Sequence, residues 1–191
     1  MQNLTETCEN TIIRLWNRKR LIYLSWHDVN LAINHIASRL HEDNFLPEVI
    51  VGVARGGLIP AVLLSHILEI RDLVTVNAKF YGRGHYPKRL AEKPVIENIS
   101  LNKDYDNALL VDDIAGSGGT IVEVKSRLKN HIRSVRTATL VKNERCPIHV
   151  DYFFRIVEDF VVFPWEISQE QLDYVTLPET FPLLTTKASD P

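Results

Sequence analysis

Apolar side chains recur at helical spacing over residues 25–41, where Val29, Ile33, Ile36, Ala37 and Leu40 share one face. Ser25 and Asp28 stand where a variant capping box would open that helix. Pro47 breaks the pattern, and Val49-Ile50-Val51-Gly52-Val53 follows as a short apolar run without alternation, the look of a strand buried on both faces. Residues 58–68 predict a second helix, with Pro60 tolerated in its first turn. A strand is expected over 73–78 and another over 108–111. Residues 120–129 then predict a helix that turns Ile121, Val124 and Leu128 inward, followed by strands over 134–141 and 152–156. Between Lys79 and Pro94 the apolar periodicity is lost, and the stretch reads as a long loop or irregular hairpin.

Strands alternating with helices predict an α/β fold, with a mainly parallel central sheet flanked by helices and a small hood. The length of 191 residues fits one domain with a sizeable core, and 45% hydrophobic against 24% charged residues excludes general disorder. The net charge of −2 argues against a strongly basic nucleic-acid binder. Cys8 and Cys146 are too few and too far apart for a disulfide framework or a metal-type spacing, which points to a reducing cytoplasm. No basic, then apolar, leader opens the chain, and no apolar window is long enough to span a membrane. The glycosylation sequons at Asn3 and Asn98 are accordingly discounted. The tail over 187–191 is expected to be disordered.

The strongest chemical signal is Leu110-Val111-Asp112-Asp113-Ile114-Ala115-Gly116-Ser117-Gly118-Gly119-Thr120. It reads as a buried strand that ends in two acids, then a bend of small residues leading straight into a helix. Glycines let backbone N–H groups turn toward a ligand, and the helix start adds partial positive charge. Such a bend binds phosphate through Ser117, Thr120 and main-chain amides. The adjoining carboxylates suit ribose hydroxyls or a metal ion beside the phosphate. A second Gly-rich turn, Val53-Ala54-Arg55-Gly56-Gly57-Leu58-Ile59-Pro60, offers close backbone approach to an anion and the fixed charge of Arg55. Two such turns at the carboxyl ends of neighbouring parallel strands agree with where open α/β sheets hold ligands. The long loop carries Lys79, Arg83, Lys88, Arg89 and Lys93 among Tyr81, His85 and Tyr86. It reads as a hood over a polyanionic substrate, as an ordinary solvated loop, or as a nucleic-acid patch.

The acid-pair stretch resembles the signature of the type I phosphoribosyltransferases, which act on 5-phosphoribosyl-1-pyrophosphate (PRPP). The resemblance implies that Asp112 and Asp113 contact the ribose hydroxyls and that Ala115, Gly116, Ser117, Gly118, Gly119 and Thr120 hold the 5′-phosphate. It implies pyrophosphate binding at Ala54, Arg55 and Gly56, with Ala54–Arg55 the place for the cis peptide common at that turn. Hood residues Tyr81, Arg83 and Lys88 would exclude water, and Mg²⁺, held directly or indirectly by Asp112 and Asp113, would accompany PRPP. The run Phe160-Val161-Val162-Phe163-Pro164-Trp165-Glu166 resembles the base-binding segment of the bacterial xanthine-guanine phosphoribosyltransferases. Carried over, Phe160 stacks on a purine, Val161 offers its backbone, Glu166 closes the segment, and Lys142 donates to the 6-oxo group. The competing reading of Phe160 is core packing, and that of Lys142 a solvated strand end. The implied layout is a transferase domain over 20–170 with extensions over 1–19 and 171–191. A homodimer is implied by resemblance alone.

One position departs from the pattern. The 6-oxopurine enzymes carry an acid three residues after the second Asp, to handle the proton on N7 of the base; here that residue is Gly116. General acid–base help is worth about 10²–10⁴-fold. Three explanations stay open: another group such as Glu166 or water does the work, the base is adenine or a non-purine, or the protein senses PRPP with little turnover.

Overall fold

The computed structural model describes residues 21–79, 94–97, 99–158 and 160–166. The described residues fall into two compact units, one within Trp26–Glu158 and one that joins residues 21–25 to residues 160–166. The larger unit holds helix α1 (Trp26–Glu42), strand β2 (Val49–Ala54), helix α2 (Leu58–Ile67), strands β3 (Leu73–Lys79), β4 (Val95–Ile96) and β5 (Tyr105–Ala115), helix α3 (Gly119–Leu128), and strands β6 (Ile132–Asn143) and β7 (Tyr152–Val157). The smaller holds β1 (Leu21–Tyr23) and β8 (Phe160–Val162), paired in parallel with Ile22 opposite Val161.

The sheet of the larger unit has six strands in the order β4-β3-β2-β5-β6-β7. Every pairing is parallel except that of β3 with β4. The expected α/β architecture is therefore present. The runs at 49–51 and 108–111 are buried on both faces. Helix α1 buries Val29, Ala32, Ile33, Ile36, Ala37 and Leu40 and lies against β7 and α2. Helix α3 turns Ile121, Val124 and Leu128 into a cluster with Val49, Val51, Ala108 and Leu110. A fully buried aliphatic side chain of this kind stabilises the fold by about 1.5–3 kcal/mol.

One buried polar knot fastens the edge of the sheet. Thr137 is fully buried, and Asp151 Oδ2 accepts from its N–H at 2.8 Å and from its Oγ1 at 2.7 Å. Lys125 of α3 donates to the same oxygen at 3.2 Å. Burial works against ionising Asp151, but the Thr137 and Lys125 donors outweigh it and hold the carboxyl below its ordinary value.

Strand β5 corrects the sequence reading. It does not end at the acids but runs through Asp112 and Asp113 to Ala115, because its pairing with β6 continues to Ala115 opposite Lys142. The pairs β1–β8 and β3–β4 were not expected. Among the described residues no helix is long and apolar enough to cross a membrane. The extensions over 1–19 and 171–191, and Tyr81, Arg83 and Lys88, lie outside the described residues.

Candidate active site

Strand pairing opens a crevice at the middle of the sheet. β2 and β5 pair only as far as Gly52 opposite Val111. Beyond that point β2 stays bonded to β3 up to Ala54 opposite Asn77, while β5 stays bonded to β6. From β2 the chain passes through α2 to β3 on one side, and from β5 through α3 to β6 on the other. Strand order thus reverses between β2 and β5, the point where open α/β sheets gather ligands outside the carboxyl ends of their strands.

The 54–57 turn forms one wall of this crevice. Its Ala54–Arg55 peptide is cis, at the position the family resemblance indicated. Arg55 is exposed. Gly57 touches β5 so closely that a Cβ there would meet Asp112 Cα at 2.7 Å, Val53 O at 2.7 Å and Val111 O at 2.8 Å. A Cβ on Gly56 would land on the Asp113 carboxylate, with Cγ at 2.6 Å.

The acids are half-buried at the base of the crevice. Successive strand residues face opposite sides of a sheet. Leu110, two residues before Asp112, clusters with α3, so Asp112 lies on the α3 side and Asp113 on the Gly56 side. Asp112 Oδ1 accepts from the Asp113 N–H at 3.0 Å. Burial, then the negative charge of Asp113, pushes the Asp112 carboxyl well above its ordinary value. Burial likewise raises Asp113. Two crowded carboxyls that resist ionisation favour a positively charged partner. Mg²⁺ is commonly bound by one or two carboxylates and completed by substrate phosphate oxygens and water. The donor set fits such an ion, and it also fits sugar hydroxyls.

The small-residue bend forms the opposite wall. Gly118 adopts the left-handed conformation, with φ of 76°, and supplies no side-chain cap to α3. The first N–H groups of that helix are thus left without a cap from this residue, and the helix dipole adds positive charge there. Gly116 and Ser117 are exposed, and a Cβ on Gly116 would meet nothing within 4 Å. Lys142 lies beside the bend as the pairing partner of Ala115, its Nζ 5.9 Å from the centre of the Phe153 ring.

The larger unit therefore brings together the 54–56 turn, Asp112, Asp113, the 115–120 bend and Lys142. Phe160, Val161 and Glu166 belong to the smaller unit. There Val161 is buried and Phe160 exposed. Glu166 Oε2 accepts from the Phe163 N–H at 2.9 Å, and the Glu166 N–H donates to Phe163 O at 3.0 Å. Phe163 and Trp165 stack with ring centres 4.8 Å apart. The Glu166 carboxylate thus secures a local turn.

Two contributors escaped the sequence reading. Gly57 was visible as the second glycine of its turn, but its contact with β5 was not. Ile148 packs on the 115–120 bend, since a Cβ on Gly118 would meet its Cγ1 at 2.5 Å. No local pattern marks it.

Comparison with known proteins gives the family. The family described as Phosphoribosyl transferase domain matches residues 21–172. A xanthine-guanine phosphoribosyltransferase of Cereibacter sphaeroides is 28% identical over 156 residues, covering 79% of this chain and 90% of that protein. One from Chromohalobacter salexigens is 30% identical over 149 residues, covering 76% and 83%. The crystal structure of a purine phosphoribosyltransferase from Pyrococcus horikoshii superposes with a TM-score of 0.67 at 38% identity, covering 78% of this chain and 95% of the other. With a reversal-point crevice, an acid pair and two Gly-rich turns on its walls, the chain belongs to the phosphoribosyl transferase domain family and is a phosphoribosyltransferase.

Proposed function

We propose that the protein transfers the phosphoribosyl group of PRPP to a ring nitrogen of a purine base, with a 6-oxopurine such as hypoxanthine, guanine or xanthine favoured. The C1′–oxygen bond to pyrophosphate breaks, the C1′–nitrogen bond forms, and the base gives up a proton. The observation that carries this reading is the acid pair set between two turns suited to anions, all in one crevice. The 115–120 bend holds the 5′-phosphate and the 54–56 turn the pyrophosphate. Asp112 and Asp113 face the sugar, where their charge stabilises the electron-poor ribosyl carbon. When bound by these two residues, directly or through water, Mg²⁺ supplies charge neutralisation for the departing pyrophosphate. Lys142 reaches the 6-oxo group, Phe160 stacks on the base, Val161 offers its backbone and Glu166 closes that segment. Tyr81, Arg83 and Lys88 belong to a hood that keeps water from the ribosyl carbon. The transferase region is taken as 20–170, working as a cytoplasmic homodimer.

Gly116 favours a second reading, a PRPP sensor with little turnover, because no acid stands where the base proton would be handled. Pyrophosphate release with PRPP, Mg²⁺ and a panel of adenine, hypoxanthine, guanine, xanthine and orotate separates the two. Release that depends on a 6-oxopurine is the expected result. Tight PRPP binding with no base-dependent release supports the sensor, and release with orotate alone overturns the purine assignment. The same assay on Gly116→Asp is informative, because the open space at Gly116 accommodates the side chain. An unchanged thermal midpoint and a kcat raised by up to about 10²-fold are expected, within what a general acid supplies.

A further inference from the structure

Four glycines around this crevice stand in four different settings. Gly118 is required for its left-handed φ of 76°. Gly57 is required because backbone atoms surround its Cα, with Asp112 Cα and Val53 O each 2.7 Å from where a Cβ would sit. Gly116 has open space and an ordinary φ, so neither requirement applies to it. Gly56 differs from all three. Its φ is not left-handed, so alanine fits the backbone. The three nearest obstacles to a Cβ there are Oδ2, Cγ and Oδ1 of Asp113.

Resting on the transferase reading above, we propose that Gly56 is a positioning residue for Asp113: its missing side chain is the space in which the Asp113 carboxylate sits. This contact joins the turn assigned to the leaving pyrophosphate to the acid assigned to the sugar. A methyl group at position 56 displaces the movable end of a side chain, not the backbone. The fold consequently survives while the acid leaves its place. A displacement of about 1 Å in a catalytic group costs roughly 10²-fold in rate. Gly57→Ala provides the contrast, since it meets backbone on every side and is expected to lower stability.

The test is a double-mutant cycle on the whole chain, comprising wild type, Gly56→Ala, Asp113→Ala and the double variant. Thermal midpoint and pyrophosphate release with Mg²⁺ and the preferred base, at limiting and saturating PRPP, are the readouts. Gly56→Ala alone is expected to keep a near-normal midpoint and to lose roughly 10²-fold in kcat/KM. In the Asp113→Ala background the same substitution is expected to change kcat/KM by less than about 3-fold, because residues in contact do not act additively. An equal loss in both backgrounds, or no loss in either, overturns the proposal. If Gly56→Ala fails to fold, recovery of folding in the double variant supports the proposal and continued failure overturns it. Wild-type protein inactive with every base contradicts the transferase reading instead. The positioning claim is then read from PRPP affinity by titration: it stands if Gly56→Ala weakens binding in the wild-type background and not in the Asp113→Ala background, and falls if the loss is equal in both or absent from both.

Discussion

Exchanging Asp112 and Asp113 together for asparagine is expected to abolish turnover and, at neutral pH, to raise the thermal midpoint of the ligand-free protein. Asparagine keeps the size of the side chain, and its carbonyl can still accept from the residue 113 N–H, so the crevice persists. What disappears is the negative charge beneath the ribosyl carbon. Removing one preorganised electrostatic group costs about 10²–10³-fold in kcat, so losing two brings activity to background. The stability effect has the opposite sign. Burial raises both carboxyls above their ordinary values, and Asp113 raises Asp112 further. A group whose folded-state pKa is raised costs nothing below its unfolded value of about 3.9 and costs progressively more as pH climbs to the folded value. The midpoint of the variant should accordingly match wild type near pH 4 and exceed it at pH 7.5. Thermal melts at the two pH values and steady-state pyrophosphate release check both halves. Near-normal activity in the variant contradicts the assigned roles.

Gly118→Ala is expected to damage fold and site together. A non-glycine residue in the left-handed region costs about 1–2 kcal/mol. The new Cβ also presses on Ile148, whose Cγ1 and Cδ1 lie 2.5 and 2.8 Å from its position. Overpacking of this kind costs about 1–3 kcal/mol. Either way of relieving the clash shifts the bend or the chain over it, and the N–H groups at the start of α3 turn away from the phosphate. Denaturant unfolding should show a loss of about 2–5 kcal/mol, and PRPP titration should show affinity falling at least about tenfold. Adding Ile148→Ala should recover the packing part of the stability but not the backbone part. A Gly118→Ala protein with unchanged stability and PRPP affinity refutes this account of the bend.

The parallel sheet was legible because its central strands are apolar on both faces. Residues 49–53 and 108–111 carry no alternation, and helices α1 and α3 show clear periodicity. The acids were legible as chemistry but not as strand. Polar residues after an apolar run look like the start of a loop, yet pairing with β6 carries β5 on to Ala115. Asp112 and Asp113 interrupt the apolar pattern because they face a crevice, not the core. Strand β8 was missed for another reason: three residues show no period, and its place is set by β1 far away in the chain.

The bend and the 54–57 turn could be read locally, because a run of glycines beside a strand end constrains backbone chemistry without help from the rest of the fold. What could not be read is how closely the two walls approach. The contacts of Gly56 with Asp113, Gly57 with Asp112 and Gly118 with Ile148 arise from packing between distant segments. Gly116 is the reverse case. The sequence shows that no acid is present there, and only the structure shows that a Cβ would stand in open space.

The central claim is that the crevice between β2 and β5 holds PRPP by its two phosphorylated ends. A crystal structure of the wild-type protein soaked with PRPP and Mg²⁺ tests it most directly. The expected density places the 5′-phosphate on the amides of residues 115–120, the ribose over Asp112 and Asp113, and the pyrophosphate at Ala54–Gly56. A crevice left empty at saturating PRPP, or a sugar phosphate seated elsewhere on the protein, contradicts the account.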